Sequence, residues 1–75
     1  MELHDVMDLE TPGGSKIRFS FPDAGYPYDQ NTAKKFLKVN KIYTVDYVIS
    51  GDWESTVYLV EVPSMPFNTV LFENV

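Results

Sequence analysis

Residues 42 to 62 constrain the fold more than any other part of the chain. Tyr43, Val45, Tyr47 and Ile49 alternate with Ile42, Thr44, Asp46 and Val48, the period-two pattern of a half-buried strand. Ser50-Gly51-Asp52-Trp53 reads as a hairpin turn. Residues 56 to 62 then form a strand that is apolar on both faces, and so is expected to be central or sharply curved. A chain of 75 residues cannot carry such a hairpin and also cover both faces of a sheet with helices. A small β fold that curls on itself is the economical way to bury it.

The rest of the chain fits around that hairpin. Residues 16 to 21 alternate, with Ile17, Phe19 and Phe21 on one face and Lys16, Arg18 and Ser20 on the other, which predicts another half-buried strand. Pro22, Gly25 and Pro27 make residues 21 to 30 a loop. Asp29 or Asn31 then caps a short helix over residues 32 to 37, with Ala33, Phe36 and Leu37 inward and Lys34, Lys35 and Lys38 outward. Pro63 and Pro66 break the β ladder. A tight helical turn at 67 to 70 leads into a last short strand at 71 to 73. Residues 1 to 14 form an acidic segment, strand or tail, closed by the turn Thr11-Pro12-Gly13-Gly14. The expected architecture is mainly β: a five-stranded SH3-like antiparallel barrel over residues 15 to 75, with one short helix inserted after the first long loop. An oligonucleotide-binding barrel usually needs more residues.

Composition excludes several classes. A folded chain of 8.6 kDa buries only about 62% of its unfolded surface, so an enclosed active-site cavity is not expected and the 11 aromatic residues are expected to supply most of the core. There is no Cys and one His, hence no disulfide framework, thiolate zinc site or Cys nucleophile. His4, Asp5 and Asp8 offer the one metal-like spacing, too few ligands for a metal site. No apolar run approaches the roughly 18 residues of a membrane span, and the acidic start is unlike a signal peptide. A cytoplasmic protein without membrane association, catalytic residues or cofactors is expected. Asp52 and Glu54 flank Trp53 in an exposed turn, where nothing would shift their protonation enough for acid–base work. The run Pro12-Gly13-Gly14-Ser15-Lys16 lacks the spacing and the following helix of a phosphate loop.

Charge is segregated along the sequence. Residues 1 to 10 carry four carboxylates and no Lys or Arg, all six basic residues lie between Lys16 and Lys41, and five carboxylates but no base follow from Ile42 onward. Solvated faces that keep a small domain soluble account for much of this, and lysines in the last helical turn also complement the helix dipole. Two functional surfaces nevertheless stand out. Asp46, Asp52, Trp53 and Glu54 give the hairpin of residues 42 to 62 an acidic end with an aromatic anchor, suited to a basic protein surface. Lys34, Lys35, Lys38 and Lys41, with Arg18 and a stacking Tyr28, would suit nucleic acid.

Several elements carry a resemblance. Lys-Ile-Arg-Phe at 16 to 19, Gly-Tyr-x-Tyr-Asp at 25 to 29, Ala-Lys-Lys-Phe-Leu at 33 to 37, Lys-Ile-Tyr-Thr-Val at 41 to 45 and Phe-Asn-Thr-Val-Leu-Phe-Glu at 67 to 73 resemble small uncharacterised proteins of phages and prophage regions. The resemblance spans residues 16 to 75, implies an SH3-like barrel, and brings no biochemical activity with it. Residues 24 to 29 and 51 to 53 also resemble the aromatic-acidic loop and groove tryptophan of peptide-binding Src-homology-3 domains. Against that second likeness, Glu54 occupies the usual second tryptophan position, the helix insert differs, and Pro63-Ser64-Met65-Pro66-Phe67 replaces the closing Pro-x-x-Tyr element.

The resulting expectation is a non-enzymatic protein–protein interaction module of phage or mobile-element type, monomeric or weakly dimeric. It would bind a basic partner through Asp46, Asp52, Trp53 and Glu54. In its sharpest form it is an acidic inhibitor of a host protein that imitates nucleic acid, as anti-CRISPR proteins do. The alternative is a small nucleic-acid-binding barrel that uses the Lys34, Lys35, Lys38 and Lys41 face.

Overall fold

Five antiparallel strands form one open sheet: β1 (Lys16–Phe19), β2 (Ile42–Ile49), β3 (Thr56–Leu59), β4 (Pro66–Asn68) and β5 (Phe72–Asn74), in the spatial order β4-β3-β2-β1-β5. The structure is a computed structural model and describes residues 6 to 75. The single helix, α1 (Pro27–Phe36), stands between β1 and β2, and a 3-10 turn (Thr69–Leu71) joins β4 to β5. These two edge strands are consecutive in the chain. The sheet therefore bends until its opposite edges reach the two ends of a three-residue connection, although no ladder closes it among the described residues.

The bend has a local cause in β2. Val45 pairs with Leu59 and Tyr47 with Tyr58, so Asp46 is left over as a bulge. An extra residue in one strand increases twist and reverses which side chains face inward. Tyr43 and Val45 are buried before the bulge, whereas Tyr47 and Ile49 are exposed after it. Strict alternation along residues 42 to 49 would have put all four on one face. The outward Tyr47 ring stacks on Tyr58 with centroids 4.6 Å apart. The 12–15 segment lies along the bulge, with Gly14 N–H donating to the Val45 carbonyl at 2.7 Å and Val45 N–H to Ser15 at 2.8 Å. A Cβ on Gly13 would stand 2.5 Å from the Asp46 carbonyl oxygen, so only glycine permits this approach.

Fully buried Ile17, Phe19, Val45, Val57, Leu59, Leu71 and Phe72 fill the inside of the curled sheet, and Ala33 of the helix and Leu37, just past its end, pack on them. The Phe72 ring meets Phe19 and Phe67 at 5.9 and 6.3 Å, separations typical of favourable aromatic pairs. Tyr43 is also buried, and its hydroxyl accepts from Lys38 N–H at 2.9 Å, which satisfies the end of the helical segment. Only Phe19, Tyr43, Phe67 and Phe72 among the aromatic residues are core. Tyr26, Tyr28, Phe36, Tyr47 and Trp53 are exposed, contrary to the expectation that aromatics would supply most of the core.

Several boundaries differ from the sequence expectation. The helix begins five residues early, inside the segment read as loop: Pro27 occupies the first helical position, where its missing N–H costs nothing, and Asp29 accepts from the Tyr26 N–H at 3.1 Å. β3 ends at Leu59, after which the Glu61 carboxylate takes the Thr44 N–H at 2.8 and 3.0 Å. Burial raises the Glu61 pKa, but the hydrogen bonds from Thr44, with help from Lys16, outweigh it and hold the carboxyl below its ordinary value. β4 begins at Pro66, which an edge strand tolerates at its first position. The 3-10 turn falls two residues later than the helical turn read at 67 to 70, and β5 starts one residue late.

Of the acidic N-terminal segment, the described residues 6 to 14 form no strand. They dock on β5 instead. Met7 is buried and donates its N–H to Phe72 at 2.8 Å, while Asn74 accepts from Asp8 N–H and donates to the Thr11 hydroxyl. Residues 1 to 5, and with them the metal-like spacing that needs His4 and Asp5, lie outside the described residues.

Candidate functional site

A groove of about 670 Å³, open to solvent, crosses one end of the molecule, where the helix start, the β2–β3 loop and the 3-10 turn meet. Tyr26, Trp53, Val70 and Leu9 give it an apolar lining, and Glu54 and Asn68 its polar groups. Among the described residues no Lys or Arg lines it. Trp53 is 96% exposed and Tyr26 64%, so neither ring covers the core. A tryptophan left in water with no internal partner is the side chain most often used to anchor a protein partner.

The loop carrying Trp53 is well supported. Gly51 N–H reaches the Ser55 hydroxyl at 3.4 Å, and the Ser55 carbonyl accepts from Thr69 N–H at 3.1 Å. A Cβ on Gly51 would collide with the Glu54 carbonyl oxygen. On the opposite wall Gly25, at φ +76, fits between Asp29 and Val70, and the Gln30 side chain ties the carbonyls of Asp23 and Gly25. These contacts brace the two backbone segments that carry the exposed rings.

Asn68 joins the walls. It is 7% exposed, its side-chain oxygen caps the 3-10 turn by accepting from Val70 N–H at 3.1 Å, and its one amide nitrogen donates to Asp29 at 3.1 Å and to Glu54 at 3.2 Å. Asn68 thereby links Asp29, at the helix start, to Glu54 on the groove wall, two carboxylates 25 residues apart in sequence. Sequence reasoning used Asp29 only as a helix cap and missed Asn68. The available signal was an Asn directly before a tight turn, a strong N-cap pattern.

The candidate residues separate as follows. Asp52, Trp53 and Glu54 stay together in the β2–β3 loop, but Asp46 is the bulge residue of β2 and faces the Gly13 turn, about 13 Å along the strand from the loop. In the basic set, Lys34 pairs with Asp23 at 3.5 Å and Arg18 with Glu73 at 3.3 Å. Glu73 also accepts from the Ser20 hydroxyl; this bond and then Arg18 outweigh desolvation and lower its carboxyl pKa. Lys35 lies over Phe36 and Lys41 over Tyr43, at 5.7 and 5.6 Å. Tyr28 is exposed seven residues before Lys35, on the same outward helix face. Arg18 and the helix lysines are thus held by different partners on different elements.

The model of the family described as Bacteriophage T4 protein Y07B matches residues 16–75 of this chain. The chain belongs to that family. It is therefore a small β protein of phage type, and the Y07B match covers every strand, the helix and the Tyr26, Trp53, Asn68 and Val70 positions of the groove. Leu9, on the groove's remaining side, precedes the matched region. No curated protein and no solved structure matches the chain significantly. Among the described residues no helix is long and apolar enough to cross a membrane, and no three of His, Cys, Asp and Glu stand together as metal ligands would.

Proposed function

We propose that this Y07B-family chain is a non-enzymatic interaction module that binds a basic region of another protein through the groove end of the molecule. The observation that carries the reading is Trp53, almost fully exposed on a braced loop between Asp52 and Glu54 and facing a groove that has no Lys or Arg among its described residues. Carboxylates around an aromatic anchor steer a cationic partner and orient it on arrival. Inhibition of a host enzyme by imitation of nucleic acid is the most specific form of this function. We read the fold in the same spirit as SH3-like, on the strand order and on the three-residue link between its edges.

Capture from bacterial lysate, with the protein immobilised and nuclease present, tests the reading. A stoichiometric protein should be retained by the wild type and by Lys35→Ala/Lys38→Ala/Lys41→Ala, and lost with Trp53→Ala and with Asp52→Lys/Glu54→Lys. Retention that disappears with nuclease, or that follows the lysine variant, would transfer the function to the basic face and to nucleic acid.

A further inference from the structure

We infer that residues 6 to 11 are a detachable strap that completes the groove, and that Asn74 is the positioning residue that latches the strap in place. The inference rests on the protein-binding reading above and adds a control on that same groove.

The strap holds its own shape. The Asp8 carbonyl accepts from the Thr11 N–H at 3.1 Å and from the Thr11 hydroxyl at 2.6 Å, and the Asp8 carboxylate accepts from the Glu10 N–H at 3.0 Å. None of these bonds uses the sheet, so the turn can leave β5 with all of them intact. The next anchorage along the chain is a separate one, where Gly14 N–H meets the Val45 carbonyl.

Among the described residues, three hydrogen bonds tie the strap to β5. Met7 N–H donates to the Phe72 carbonyl at 2.8 Å, Asp8 N–H to Asn74 Oδ1 at 2.7 Å, and Asn74 Nδ2 to the Thr11 hydroxyl at 2.9 Å. The Asn74 side chain therefore grips the turn at both ends. The remaining attachment is the Met7 side chain, buried in the core cluster. A segment held by one apolar side chain and a few hydrogen bonds opens at a lower free energy than the paired strands behind it.

Opening the strap alters the groove. Val6, Met7 and Leu9 line it, whereas Asn74 does not; Asn74 lies with Asp8 and Thr11 along a second, more polar depression. Without the strap the groove keeps Tyr26, Trp53 and Val70 but loses an apolar wall. A partner that touches Val6 or Leu9 binds the strapped state more tightly, and by linkage it holds the strap down. The strap also precedes residues 16–75, the region that the Y07B family model matches, so this wall lies outside the part of the groove that the match covers.

The full chain has no Cys, so an introduced one can carry a unique label or disulfide. In the wild type, amide hydrogen exchange at Met7, Asp8 and Thr11 should share one rate, faster than that of Val45. Asn74→Ala should accelerate it about tenfold or more, for the two bonds lost, while Val45 and the remaining amide spectrum hold. A nitroxide on Leu9→Cys should broaden the Trp53 indole signal across the groove, and adding Asn74→Ala should sharpen it again. Capture of the Trp53-dependent protein should weaken about fivefold or more in Asn74→Ala, and return in the disulfide form of Asp8→Cys/Asn74→Cys. Strap amides that exchange with Val45, or that ignore Asn74→Ala, overturn the strap. An indole signal still broadened in Asn74→Ala overturns the latch. A released strap with undiminished capture overturns the control and leaves the protein-binding reading standing. If no Trp53-dependent protein is captured at all, that reading and the control fall together, while exchange and broadening still decide the strap.

Discussion

Removing the Asn68 side chain should loosen the walls of the groove and cost a large part of the protein's stability. In Asn68→Ala the 3-10 turn loses its cap, worth about 1 kcal/mol. The two bonds to carboxylates are worth about 1.5–3 kcal/mol each when shielded. Here Glu54 is exposed and Asp29 half-buried, so water replaces much of the loss and about 0.5–1 kcal/mol each is appropriate. The expected total is about 2–3 kcal/mol, against roughly 4–11 kcal/mol for a whole domain of this size. With a urea dependence of about 1 kcal/mol per molar, the unfolding midpoint should fall by about 2 M or more. Asn68→Asp keeps the capping oxygen but replaces the shared donor with a third carboxylate. It should be less stable than Asn68→Ala at pH 7. Urea titrations of the three proteins at pH 7 decide the matter. An Asn68→Ala midpoint within experimental error of wild type, or an Asn68→Asp midpoint at or above that of Asn68→Ala, refutes the bridge as the element that holds the walls.

Other expectations follow from single contacts. Phe72→Ala empties the centre of the aromatic core and should cost about 3–5 kcal/mol, enough to leave a large unfolded population detectable by near-ultraviolet circular dichroism. Gly13→Ala should lower the melting temperature, because the new Cβ meets a backbone carbonyl at 2.5 Å that cannot rotate away; an unchanged melting curve would show that the 12–15 segment does not lie on the bulge. Glu73 has a depressed folded-state pKa, so its contribution is complete above the ordinary carboxyl value of 4.5 and disappears as pH falls through the lower folded value. Glu73→Gln should accordingly destabilise at pH 7 and converge with wild type in strong acid, as read by thermal melts across pH. Trp53→Ala should change stability by no more than about 0.5 kcal/mol while abolishing partner capture.

The strands were legible where one pattern governed them. Residues 16 to 21, the start of β2 and the start of β3 announced themselves by alternation and by Val, Ile and Tyr content, and a strand is present at each, the first ending two residues early at Phe19. The readings failed where one residue type serves two purposes. Pro27 starts the helix and Pro66 starts β4, yet both looked like breakers, because a missing N–H is harmful in the interior of an element and harmless at its first position. The Asp46 bulge left no mark in the alternation, since Tyr47 and Ile49 are apolar whichever way they point.

The groove was legible only in part. Trp53 and its flanking acids stood out as a local motif, and Tyr26 as an aromatic in a loop. Their meeting with Val70 and Leu9 depends on a sheet bent far enough to bring four separate segments to one end, which no local spacing encodes. Asn68 was obscured for the same reason: its two carboxylate partners come from the helix start and the hairpin loop, neither of them near it in sequence. The charge pattern pointed to the acidic end but grouped Asp46 with it, and the fold separates them.

The most direct test of the account is site-specific photo-crosslinking in bacterial cells, with a benzophenone amino acid placed at Trp53 in one variant and at Lys38 in another. The account predicts a discrete covalent protein adduct from position 53 and none from position 38, with the adduct lost when Glu54→Lys is added. An adduct formed from position 38 alone, or nucleic acid recovered there with position 53 silent, would contradict it.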